Sequence, residues 1–264
     1  MTAAEALGST EHQSVEQVSA ARPMRRRDGV RAVRDLLRHQ LLQQDKTAPE
    51  YIELAPEHEL AHEYSTGRNV IRLALAALQR EGLIKRVPGS GTFVRKRKIR
   101  IRHLRLEGLA LGLVHNGTKV RYERHLVEFR PAPEPVAVAL GIPVGSRIAV
   151  IERKSYYGDK PCSLNSRYLP AEVAEKLLEK NSEVTTIDWF SAMEEAAGVL
   201  IAGARTITEA IVADELLAPD LGVPIGAPVI LMHRTIYAVD GRVVEFNLTR
   251  SRGDLVEIES WQDR

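Results

Sequence analysis

The sequence predicts an α+β protein of two domains: a small N-terminal domain of helices closed by a β-hairpin, and a larger C-terminal domain built on antiparallel strands. Three observations predict it. Residues 55–94 compress two short helical patterns and a glycine-punctuated basic hairpin into one stretch with no long loop. The pattern L-G-x-P-x-G occurs twice, at Leu140–Gly145 and, eighty-one positions later, at Leu221–Gly226, and strand, turn and strand follow each copy. Charge also divides along the chain. Residues 25–102 hold eighteen Lys and Arg against nine Asp and Glu, whereas residues 103–264 hold eighteen against twenty-three, in a chain of net charge +2. A polyanionic partner is therefore expected for the N-terminal part alone.

Taken in order, residues 1–23 are rich in Ala, Ser, Glu and Gln, lack an apolar period, and are expected to be a disordered tail. A basic arm at Arg25-Arg26-Arg27 leads into a helix over 28–44, with Val30, Val33, Leu37 and Leu41 on one stripe and Asp28 as N-cap. Thr47-Ala48-Pro49-Glu50 breaks that helix, and Tyr51–Leu54 is short and extended. A second helix begins at Pro56, a residue suited to a first turn because its missing amide hydrogen has no intrahelical role there, and ends near Tyr64. After the Ser65-Thr66-Gly67 turn, Ile71, Ala74, Leu75 and Leu78 make one apolar face of a helix over 69–81, with Arg68, Arg72 and Gln79 opposite. Leu83-Ile84 starts a strand, Pro88-Gly89-Ser90-Gly91 turns it, and Thr92-Phe93-Val94 returns: helix, turn, helix, wing.

The boundaries read as 24–98 for this domain, 99–115 for a linker and 116–264 for the C-terminal domain. In the latter, Ile148–Tyr157 and Cys162–Leu169 form one hairpin and Val229–Val239 and Val243–Arg250 another, with helical patterns at Ala171–Glu179 and Ile187–Ala197 between them. Cys162 is the only cysteine, which rules out an intrachain disulfide. No apolar run approaches a membrane span and no signal-peptide core opens the chain, so a cytoplasmic protein without a membrane partner is expected.

Two stretches carry a resemblance. A-P-E-x-E-L-A followed by G-R-N-V-I-R-x-A-L-x-x-L-x-x-E-G-L-I-K-R-x-x-G-S-G-T-F-V resembles the DNA-binding domain of the GntR family. L-G-x-P-x-G, I-E-R, S-R-Y-L-P, and V-E-F followed by R-G-D resemble the UTRA effector-binding domain of that family's HutC branch, whose fold is an antiparallel sheet with flanking helices similar to chorismate lyase. The resemblance implies a ligand-responsive repressor that binds an inverted-repeat operator in double-stranded DNA as a homodimer and is released by a small molecule.

By that resemblance the DNA contacts fall on His58, Arg68, Asn69, Arg72 and the wing tip at Gly89 and Ser90. Arg72 lies one turn beyond Arg68 on the same face and has the fork geometry to read a guanine. His58 stands where the family usually has Arg. The effector contacts map to Arg153, Ser155, Asn165, Thr186, Asp188, Glu245 and Ser251. Relatives that take sugar phosphates carry a second arginine where this chain has Ser155. With an added carboxylate at Asp188, the expected effector is a neutral or partly cationic molecule and not a phosphorylated sugar.

Two competing readings are enzymatic. The fold's likeness to chorismate lyase raises an enzyme acting on a small carboxylate. His58-Glu59-Leu60-Ala61-His62 matches the zinc-protease pattern, with Glu81 as a third ligand. A zincin needs those histidines on a long buried helix beside a substrate cleft, and the helix expected here is short and basic-flanked. With no phosphate-binding glycine loop and no nucleophile elbow, neither enzymatic activity nor a cofactor or metal is expected.

Overall fold

The computed structural model describes residues 26–43, 52–94, 99–102, 120–183 and 188–260. The expected N-terminal tail and Thr186 lie outside them. The described residues divide into two compact units, one of Arg26–Gln43 and Glu53–Val94 and the other of Ile52 and the residues after Val94.

In the first unit α1 (Arg26–Gln43), β1 (Ile52–Leu54), α2 (Glu57–Glu63), α3 (Arg68–Arg80), β2 (Ile84–Val87) and β3 (Gly91–Val94) follow one another. Both α1 and α2 pack on α3. The seam is the stripe read from the sequence: Ile71, Ala74, Leu75 and Leu78 are buried with Val33, Leu37, Leu41 and Leu60. Each Leu or Ile so buried contributes roughly 1.5–3 kcal/mol, so a unit this small depends on that single seam. The α2–α3 turn is tight enough to put Ser65 at φ 46°, and the Thr66 amide donates to Ala61 at 2.9 Å. The helix α1 starts two residues before Asp28, which is therefore inside the first turn and not its cap. Strands β2 and β3 form the wing, with β1 completing a sheet of order β1-β3-β2.

In the second unit, the first residues expected to be linker are β4 (Ile99–Arg102), which pairs in parallel with the final strand β11 (Val256–Glu259). The alternating Ile-Arg pattern that reads as a charged linker is thus also a strand pattern, and the parallel register sets Arg100 beside Glu257 and Arg102 beside Glu259. Between these strands lie β5 (Val120–Pro131), α4 (Glu134–Leu140), β6 (Arg147–Tyr157), β7 (Lys160–Pro170), α5 (Ala171–Lys180), α6 (Trp189–Ala197), β8 (Ile201–Val212), α7 (Leu217–Leu221), β9 (Pro228–Ala238) and β10 (Val243–Arg252).

The six long strands make an antiparallel sheet of order β5-β6-β7-β10-β9-β8. That order is its own mirror, because the sequence repeat is a structural one: β5-α4-β6-β7 and β8-α7-β9-β10 join at β7 and β10. The L-G-x-P-x-G copies are the pivots. Their first glycines, Gly141 and Gly222, end α4 and α7 at φ 67° and 60°, a backbone region that glycine enters without a steric penalty. Equivalent bonds then close the two loops: Gly145 N donates to Ala132 O at 2.9 Å, and Gly226 N to Ala213 O at 2.7 Å.

Strand side chains alternate between faces. One face packs α5 and α6 around Ala149, Ile151, Leu169, Ile236 and Trp189, and at its other end β11 packs Val256 against Met232 and Cys162. On the opposite face sit α4 and α7. The polar side chains described next lie on the first face, between α5–α6 and β11.

Candidate functional site

The first unit presents an exposed polar face. Arg68 and Arg72 stand on the exposed side of α3, and Arg72 Nη2 donates to Asn69 Oδ1 at 2.7 Å, which aligns the two predicted base-reading side chains. His58 and His62 are exposed on α2, a helix of only seven residues. Glu81, the third ligand of the zinc reading, instead pairs with Arg38 and fixes the end of α3 to α1. At the wing tip Gly89 (φ 75°) and Ser90 are exposed. Arg86 Nη2 donates to Glu57 Oε1 at 3.0 Å, holding the wing to α2. Gly91 sits at φ 118°, a backbone region that residues other than glycine rarely enter.

The second unit holds a buried polar cluster at the centre of the repeat. Glu245 is wholly buried. Its Oε1 pairs with Arg167 and accepts from Asn247 Nδ2 at 2.6 Å, while its Oε2 accepts from Trp189 Nε1 at 2.5 Å. The Arg167 and Arg153 guanidinium carbons lie 4.2 and 4.7 Å from the Trp189 ring centroid, and Arg153 also lies 4.5 Å from that of Tyr122. Cations over aromatic faces are attracted by the ring quadrupole, most strongly where water is excluded. Arg234 reaches the cluster from β9 and donates through Nε to Thr206 Oγ1 at 3.2 Å.

Burial pushes the Arg153 guanidinium down to about 9, and Arg167 adds to the effect. Arg167 and Arg234 are shifted down too, mainly by burial, with Glu245 opposing. Arginine still carries its charge at neutral pH. Among the described residues, Glu245 pairs with Arg167 and its charge is felt by Arg153 and Arg234 as well. Asn165 donates to Thr249, yet its Oδ1, together with Arg167 Nε and Ser251 Oγ, is buried without a hydrogen-bond partner among the described residues. Ser155, Ser163 and Ser251 form a buried row across β6, β7 and β10 one step further along the same face.

Arg153, Ser155, Asn165, Glu245 and Ser251, five of the seven residues predicted for the effector, are therefore brought to one face of three adjacent strands. Asp188, next to Trp189, caps α6, accepting from Ser191 N at 3.1 Å and Ser191 Oγ at 2.5 Å, as an acidic residue before a helix commonly does. Sequence reasoning missed Arg167, Trp189, Tyr122, Arg234 and Asn247. The repeat contained the signal for Arg234, and the sheet register, one residue out of step with the repeat, adds Asn247. Arg153 moved by eighty-one positions is Arg234, and Asn165 opposes Arg153 in the sheet as Asn247 opposes Arg234. The expectation of a neutral or cationic effector weighed Arg153, Ser155 and Asp188; the sheet sets Arg167 and Arg234 near Arg153 as well.

A model of the gntR family of bacterial regulatory proteins matches residues 30–94, and a model of the UTRA domain matches residues 115–257, more than half of the chain. The chain belongs to the GntR family. Among its relatives, this GntR regulator is 30% identical over 240 residues to the HTH-type transcriptional repressor NagR of Bacillus subtilis, covering 86% of this chain and 94% of that one. It is 31% identical over 130 residues to the histidine utilization repressor of Klebsiella aerogenes, covering 49% and 54% of the two chains. Its fold matches the crystal structure of PhnF from Mycobacterium smegmatis with a TM-score of 0.63 at 22% identity, over 88% of this chain and 99% of that one. It is a DNA-binding transcriptional regulator with an N-terminal helix-turn-helix domain and a C-terminal UTRA domain.

Proposed function

We propose that this GntR regulator is a homodimeric repressor that reads an inverted-repeat operator through α3 and the wing and is released by a small molecule carrying at least one anionic group. The observation that carries the effector class is the cluster of buried Arg153 and Arg167 and half-buried Arg234 around the carboxylate of Glu245. Burying a cation costs free energy, and an anion that accepts its N–H groups offsets part of that cost. Trp189 and Tyr122 supply flat apolar walls, and the row of serines with Asn165 and Thr249 supplies hydroxyl and amide partners. This suits a compact, polyhydroxylated or amide-bearing anion. Arg68, Asn69 and Arg72 at the start of α3 would face base edges in the major groove, with His58 and the Gly89-Ser90 tip on the backbone. The reading as a UTRA-fold enzyme gains no specific support from the described residues.

The test is footprinting on the intergenic DNA next to the protein's own gene, followed by titration with matched anionic, neutral and amine-bearing metabolites, sugar phosphates included. Protection of an inverted repeat that an anionic compound relieves, with matching thermal stabilisation, supports the proposal. Release by neutral or amine-bearing compounds alone overturns the effector class, and absence of any protected repeat overturns the operator reading.

A further inference from the structure

The two edges of the six-stranded sheet are not alike. Edge strand β5 carries Arg121, Glu123, Arg124, His125, Glu128 and Arg130, and a bulge breaks its register between Arg124 and Leu126. Both are known devices against edge-to-edge pairing. The other edge, β8, is as long at twelve residues, has only Arg205 and Glu209 as charges, and has its one irregularity at its very start, between Ile201 and Gly203. Its side chains are mostly exposed on both faces, including Ile207 at 49% and Val212 at 63%. Among the described residues nothing pairs with its outer edge. A long, regular, weakly charged edge is a template for another strand.

The sequence of β8 says which strand. Arg205-Thr206-Ile207-Thr208-Glu209 is complementary to itself when reversed. Two copies paired antiparallel about a two-fold axis through Ile207 set Arg205 opposite Glu209 twice, Thr206 opposite Thr208 twice and Ile207 opposite itself, and residues 202 through 212 all find partners. Neighbouring registers lose this. An axis at Arg205 or Glu209 sets like charges face to face, and an axis at Thr206 or Thr208 sets each charge against an aliphatic residue or glycine. Opposite charges and Thr–Thr pairs across strands are favourable, and like charges are unfavourable.

We infer that β8 joins β8 of a second copy in this register, extending the sheet across the dimer. The inference rests on the homodimeric reading above and adds its interface. It also joins that interface to the effector cluster, because Thr206 on β8 accepts from Arg234. Glu209 already lies 2.7 Å from His233 Nε2 on its own sheet, so the second copy's Arg205 meets a carboxylate held in place.

The experiment uses the full chain with single cysteines. Cys162 is buried and its thiol is pushed up to about 12, which leaves an introduced cysteine as the reactive one. Residues directly opposite in an antiparallel pair have Cα atoms about 4.5–5.5 Å apart, within disulfide reach. Under mild oxidation Ile207→Cys should convert to a covalent dimer. Arg205→Cys and Glu209→Cys should each remain non-covalent alone and cross-link to one another when mixed. In sedimentation, Arg205→Glu and Glu209→Arg should each weaken self-association at least tenfold, and the double variant R205E/E209R should restore it. If the unmodified chain sediments as a dimer while Ile207→Cys fails to cross-link or the double swap fails to rescue, this interface is wrong and the dimeric reading stands. If the chain is monomeric at micromolar concentration with and without DNA, both fall.

Discussion

The regulator holds two sets of basic side chains that face opposite problems. On α3, Arg68 and Arg72 are exposed and solvated, and Arg72 is oriented by nothing more than a hydrogen bond to Asn69. In the UTRA sheet, Arg153 and Arg167 are stripped of water, laid on Trp189 and steadied by Glu245. An exposed arginine costs the fold almost nothing, so its removal should be felt only when DNA is present. A buried arginine is part of the fold's own free energy, so its removal should be felt by stability and ligand together. Charge count alone does not separate the two; burial does.

The comparison predicts a ranked set of effects. The largest follows from Glu245→Gln, which leaves buried Arg167 without its paired carboxylate: unfolding free energy of the UTRA unit should fall by roughly 3–5 kcal/mol, read by denaturant titration. A loss below 1 kcal/mol would mean that water reaches the cluster freely. Next, Arg72→Ala should lower operator affinity by roughly 1–3 kcal/mol and flatten base preference at one position in each half-site, with unfolding unchanged. If all sequences weaken equally, Arg72 holds a phosphate only. Asp188→Ala removes the α6 cap and should lower stability by about 1 kcal/mol. Loss of effector response in that variant without loss of stability would return Asp188 to the ligand site. Smallest of all, Glu59→Gln on the exposed face of α2 should change operator affinity by less than about 0.5 kcal/mol, and the purified protein should hold no stoichiometric zinc.

The two regions also differed in how far the sequence revealed them. The helix-turn-helix was legible to within a residue or two because its determinants are local: the i, i+3, i+4, i+7 stripe at Ile71, Ala74, Leu75 and Leu78, and the glycine-marked turns at Gly67, Gly82 and Gly89. In the UTRA domain both central hairpins were legible from their turns. The edge strands β5 and β8 were not, because strands half exposed on both faces lose the apolar alternation that marks a strand. Helices α4 and α7, of seven and five residues, are too short to display a period. The cluster was half legible for a similar reason. Arg167 lies in S-R-Y-L-P and reads as a strand residue, and only pairing opposite Asn247 sets it beside Glu245 and over Trp189 from a distant helix. The repeat was visible, yet its consequence, that Arg153 and Arg234 are equivalent side chains on one face, appears only once its two halves join at β7 and β10.

The central claim is that a buried cationic cluster in one unit governs DNA occupancy by the other. Its most direct measurement is the fraction of operator bound as anionic metabolites are titrated, in the wild-type chain and in Arg153→Ala. The account predicts saturable release by an anionic compound from wild type, and unchanged operator affinity with release lost or shifted at least tenfold in Arg153→Ala. Equal release from both proteins, or release that follows only neutral or amine-bearing compounds, would contradict it.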